Sequence, residues 1–110
     1  PSPGEARERV ALRVARARER QAERFSQLGE ADLRTNAEAD GELLDKIAEP
    51  DGAGREMLLR ATERMHLTAR GYHRVLRVAR TIADLDGIPR ISRAHIAEAL
   101  SFRRIAPERR

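Results

Sequence analysis

The chain has 110 residues and a mass of 12.4 kDa, enough for one domain and not two. Hydrophobic residues make up 40% of it, but 18 of them are alanine and aromatics are only 3%, so helix is favoured over a β-sandwich. The net charge is +4, the absence of cysteine excludes disulfides, thiol catalysis and Cys-ligated zinc, and no apolar run approaches the roughly 18 residues of a membrane span.

The first element is an expected helix running to about Phe25. Ser2 is placed to cap it, Pro3 suits its first position and Glu5 completes a capping box. Ala6, Val10, Val14, Ala17 and Gln21 recur at helical spacing and form a narrow apolar stripe. The chain opens at Pro1 rather than Met, which points to a piece of a longer protein. Residues 26–40 read as an irregular connection punctuated by Ser26, Gly29, Asp32, Thr35, Asn36 and Asp40, with Leu28 and Leu33 as anchors. A short helix is expected over 41–48, and Pro50-Asp51-Gly52 breaks it.

The next helix is expected from about 54 to 65, with Met57, Leu58, Ala61 and Met65 on one side. Thr68 then caps the most regular element, expected over 69–85, where Tyr72, Val75, Leu76, Ala79, Ile82 and Ala83 form a broad apolar face. Asp86-Gly87 ends it, and Pro89 forbids continuation. Ser92 caps a last helix carrying Ile96, Ala99 and Leu100, and residues 103–110 read as a frayed basic tail. No stretch alternates at period two. The pattern is that of an all-α domain, a small bundle of four to five helices.

Charge is unevenly spread. Residues 1–29 carry seven Arg against four acids, residues 30–67 five basic against ten acidic, and residues 68–110 ten Arg against four acids. On the 69–85 helix, Arg70, Arg74 and Arg77 fall within about 60° of one another at 100° per residue. Thr81 and Asp84 continue that side, almost opposite the apolar face. The stripe fits a phosphate-binding ridge, with Arg70 in the first turn where the helix dipole also favours an anion. It equally fits a solvated face whose arginines pair with acids of the middle segment. Arg80 and the arginines of the first helix read as solvated.

The three histidines, His66, His73 and His95, show no metal-ligand spacing and read as surface or packing residues, so no metal site is expected. Ser and Thr show no His/Asp partner set for nucleophilic hydrolysis. No GxxxxGK[ST] or GxGxxG occurs, so the chain has no phosphate-cradling loop of the usual kind. No catalytic residue is assigned, and the chain alone is not expected to be an enzyme.

The run from Ala69 to Leu85, continuing through Ile91 and then Ala94 to Leu100 and Phe102-Arg103, closely resembles the C-terminal domain of magnesium chelatase-like AAA+ ATPases. Within that family it resembles the ComM-type competence proteins. Arg9-Val10, Ala15-Arg16 and Arg18-Glu19-Arg20-Gln21 resemble that domain's opening helix. Leu33 and Asn36 stand where the family's connecting loop has a Leu-Asn pair, here split by Arg34-Thr35.

The resemblance covers nearly the whole chain and implies that residues 1–110 are a single helical lid, with the N-terminal AAA+ core lying outside them. It implies ATP and Mg2+ as cofactors of the parent, with Arg70 as the sensor-2 contact to ATP phosphate and Arg74 and Arg77 as second choices. The implied partners are the chain's own ATPase domain, neighbouring subunits of a homo-hexamer, and DNA during recombination or transformation; a cytoplasmic location and no membrane contact go with them. The alternatives are the lid of a true magnesium chelatase subunit for chlorophyll synthesis, and a stand-alone basic helical module that binds nucleic acid.

Overall fold

In the computed structural model, which describes residues 3–30 and 32–105, with side chains as far as Phe102, α1 spans Pro3–Gln27, α2 Gly41–Ile47, α3 Gly52–Arg64, α4 Ala69–Asp86 and α5 Arg93–Ile105. A single 3-10 turn, Asn36–Glu38, sits in the segment expected to be irregular. The expected all-α bundle is found. The Ser2 cap lies outside the described residues, as do residues 106–110 of the basic tail. Residues 103–105 instead continue α5.

α4 is the central helix, packing on α5, α1, α2 and the 3-10 turn. Its boundaries follow from local chemistry. The Thr68 hydroxyl accepts the Gly71 N–H at 3.0 Å, and Gly87 closes the helix with φ of 71°. A side chain at Gly87 would be strained by that φ and would also press on the Arg20 guanidinium. α3 starts two residues before the expected position because Asp51 caps it, accepting the Gly54 N–H at 2.8 Å.

The core gathers Phe25, Leu44, Leu58, Leu76, Ile91 and Ile96, all fully buried. Pro50 and Ile91 form an isolated parallel bridge, and the Asp51 N–H donates to Ile91 O at 2.8 Å. α3 and α5 therefore begin side by side. Gly54 is buried there, and a Cβ on it would lie 3.2 Å from the Ser92 carbonyl carbon.

The stripe on α1 is buried over half its length only. Ala17, Gln21 and Phe25 are buried, whereas Val10 is 58% exposed and residues 3–13 all face solvent. α1 thus packs on α4 mainly with its C-terminal half, and residues 3–13 are all exposed.

Candidate functional site

The arginine-bearing side of α4 changes character along its length. In the first turn Arg70 is exposed and makes no side-chain hydrogen bond or ion pair with any described residue, and the same holds for Arg74 one turn on. No acid occupies that first turn. Two guanidiniums at i, i+4 repel, and the positive end of the helix dipole adds to the repulsion. An anion at this end would relieve both. The Thr68 cap and the buried Val75 and Leu76 hold the turn in place.

Arg77 is different. Its Nε donates to Ala39 O at 3.0 Å, and its guanidinium is salt-bridged to the Asp40 carboxylate. One of the three arginines is thereby tied to an acid of the middle segment. His73, beside Arg74, lies 3.6 Å from Asp45 Oδ1. Tyr72, half-buried against the core, has its phenol pKa pushed up by burial and by the nearby Asp45.

Two turns further, the side expected to be solvated is covered by α1 and the 3-10 turn. Asp84 is 1% exposed. Arg24 bridges both its oxygens, at 2.5 Å to Oδ1 and 3.1 Å to Oδ2. Asn36 Nδ2 donates to Asp84 Oδ2 at 2.9 Å and to Thr81 Oγ1 at 3.1 Å, and the Asn36 N–H donates to Gln21 Oε1 at 3.1 Å.

Arg80, also expected to be solvated, is 2% exposed. Its guanidinium donates to the carbonyls of Ile47, Ile88 and Pro89 at 3.3, 2.9 and 2.8 Å and pairs with Asp84 at 3.1 Å. Burial pulls its pKa below the ordinary arginine value, which Asp84 opposes and Arg24 reinforces. The two residues are buried because each satisfies the other and because a planar fork can serve several carbonyls at once. This cluster is structural: it fastens α1 and the loop onto α4.

The structure also assembles a set that sequence spacing did not reveal. Ser92 Oγ lies 3.0 Å from His95 Nδ1, and His95 Nε2 lies 3.3 Å from Asp86 Oδ2. The order hydroxyl, imidazole, carboxylate is that of a nucleophilic relay. Here, however, Nδ1 already accepts the Ser92 backbone N–H at 2.9 Å, and His95 is 4% exposed. His95 fills the place of Glu in a capping box and fixes the start of α5. His at the third position after a capping Ser was the available signal. Among the described residues no group of three or more His, Asp or Glu side chains is placed to hold a metal ion, and no helix is long and apolar enough to cross a membrane.

Comparison with known proteins shows the family. The family described as Magnesium chelatase, subunit ChlI C-terminal, matches residues 4–103. The protein Rv2897c of Mycobacterium tuberculosis is 42% identical over 106 residues, covering 96% of this chain and 20% of that protein. The competence protein ComM of Haemophilus influenzae is 38% identical over 100 residues, covering 91% of this chain and 18% of its own length. YifB of Escherichia coli is 36% identical over 103 residues, covering 94% and 19%. The chain thus spans about a fifth of the length of these relatives. No solved structure matches it. With the match running from the first turn of α1 into the last turns of α5, the chain belongs to the magnesium chelatase ChlI C-terminal family.

Proposed function

We propose that residues 1–110 form the helical lid of a ComM-like AAA+ ATPase and that Arg70 senses the ATP phosphates presented by the parent's α/β core. The observation that carries this reading is the exposed Arg70–Arg74 pair on the capped first turns of α4, without a side-chain partner among the described residues. A guanidinium fork offers bidentate hydrogen bonds to phosphate oxygens and stabilises charge there without reorganising. ATP with Mg2+ supplies the transferable phosphoryl group; this chain's part is to hold a fixed positive charge against it. Arg74 is the second contact. Arg77, engaged with Asp40 and Ala39, acts as a strut that keeps the preceding turns in register.

In this reading the parent is a cytoplasmic homo-hexamer that remodels DNA, and its N-terminal core and neighbouring subunits are the lid's partners. Likeness to the competence protein ComM over 91% of the chain supports a competence-type parent.

Replacing Arg70 by Ala in the full-length parent tests the assignment. ATP turnover should fall by about tenfold or more, with assembly intact. Turnover equal to that of the native protein would refute the sensor role. Salt-sensitive binding of a DNA duplex by the 110-residue chain alone would favour the stand-alone nucleic-acid module instead.

A further inference from the structure

A hollow of about 510 Å3 runs between α3 and α5, and none of Arg70, Arg74 and Arg77 lines it. Its floor is apolar and shallow. Ala53 and Ala97 are exposed, Met57 and Leu100 are half-buried, and Ala61 lies buried beneath them. On α3 the lining residues follow one helical face from position 53 to 64, a run of about 16 Å at 1.5 Å per residue. Alanines on both helices keep the walls low, so the ridge of a third helix can settle between them.

The rim is cationic. Arg60, Arg64 and Arg93 line it against the single acid Glu56, which Arg60 already binds at 2.6 Å. Arg64 and Arg93, both exposed, have no side-chain partner among the described residues. Two free guanidiniums thus flank an apolar trough.

We propose that this groove docks an acidic amphipathic helix of a partner protein. Its aliphatic side chains would rest on Ala53, Met57, Ala97 and Leu100, and its carboxylates would meet Arg64 and Arg93. Charge selects an acidic partner, and the floor selects a protein over a nucleic acid. Among the described residues no aromatic side chain lines the groove to stack on a base, and an alanine, methionine and leucine surface offers nothing to a phosphate.

The test uses the isotope-labelled chain and three probes, followed by NMR shift mapping. The probes are a synthetic helical peptide with leucines along one face and glutamates beside them, a scrambled peptide of the same composition, and a DNA duplex. The patterned peptide should shift the signals of Ala53, Met57, Ala97 and Leu100 and bind about tenfold or more tightly than the scrambled one. The double variant R64E/R93E should weaken it by about tenfold, and Ala97→Trp, which fills the trough without changing charge, should weaken it comparably. All three positions are exposed, so both variants keep the fold. Absence of those shifts, equal binding of the scrambled peptide, or indifference to both variants overturns the proposal. So does a duplex that shifts the same four residues as strongly as the patterned peptide.

Discussion

Arg24 on α1 and Asp84 on α4 form a two-pronged ion pair, at 2.5 and 3.1 Å, and Asp84 is also the only acid to which the buried Arg80 is joined among the described residues. One carboxylate therefore serves as counter-charge to two guanidiniums, and the connecting loop is tied to the same group through Asn36. Replacing Asp84 with Asn leaves two cations without their counter-charge in a partly or fully buried setting. The expected loss is about 3 kcal/mol, read by urea denaturation. A change within about 0.5 kcal/mol would show that the cluster adds nothing to stability.

The three arginines of the α4 stripe should separate in the same assay. Arg77→Ala removes a bond to the Ala39 carbonyl and an ion pair whose acid, Asp40, is exposed, and should cost about 1 kcal/mol, most of it from the lost hydrogen bond. Arg70→Ala and Arg74→Ala should stay within about 0.5 kcal/mol of the unsubstituted chain, because neither side chain has a partner among the described residues. Equal losses at all three positions would contradict the division of the stripe into a strut and a free pair.

Gly54→Ala should destabilise although alanine is the better helix former. The added Cβ would lie 3.1 Å from Pro50 Cβ, and 3.2 Å from both the Asp51 capping oxygen and the Ser92 carbonyl carbon. A ring and a backbone atom cannot swing aside, so α3 must move off α5. The expected cost is about 1 kcal/mol net of the gain in propensity, measured as a lowered thermal midpoint. A raised midpoint would show that the two helix starts are loosely joined.

Glu38 sets an acid limit on the connecting loop. Its Oε1 accepts the Arg34 and Thr35 N–H groups at 3.3 and 3.1 Å and the Thr35 hydroxyl at 3.1 Å. The Arg34 backbone bond, then the Thr35 hydroxyl and backbone bonds, hold its pKa below the ordinary carboxylate value. A lowered folded-state pKa means that the unfolded chain binds more protons on the acid side. The stabilisation is therefore present above the ordinary carboxylate range and is lost as the pH falls through the lowered value. Glu38→Gln should flatten the acid limb of the stability–pH curve and converge with the native chain at its acid end. An unchanged slope would remove Glu38 from the loop's support.

Helix periods, the Thr68 cap and the Gly87 stop were readable because each is written in neighbouring residues. So was the exposed Arg70 end of α4. Asp84 and Arg80 were misread because periodicity places a charge on the solvent side by default. Their burial depends on Arg24 and Asn36, which precede Asp84 by 60 and 48 positions. Only the i, i+4 spacing of Arg80 and Asp84 hinted at a pair. The α3–α5 groove was hidden for a related reason. Alanines look alike at every helical position, and the side left uncovered is decided by how the other helices pack.

The exposed half of α1 has a mechanical consequence. Beyond Arg13, which still reaches Asp86 at 3.4 Å, the helix extends for about 15 Å with every residue from 3 to 12 exposed. A tilt of ~10° about the anchored half would carry the tip through about 2.5 Å at that length. An extension of this kind would act as a lever arm. It would enlarge small rotations of the bundle into displacements wide enough to make or break contact with whatever lies against its tip.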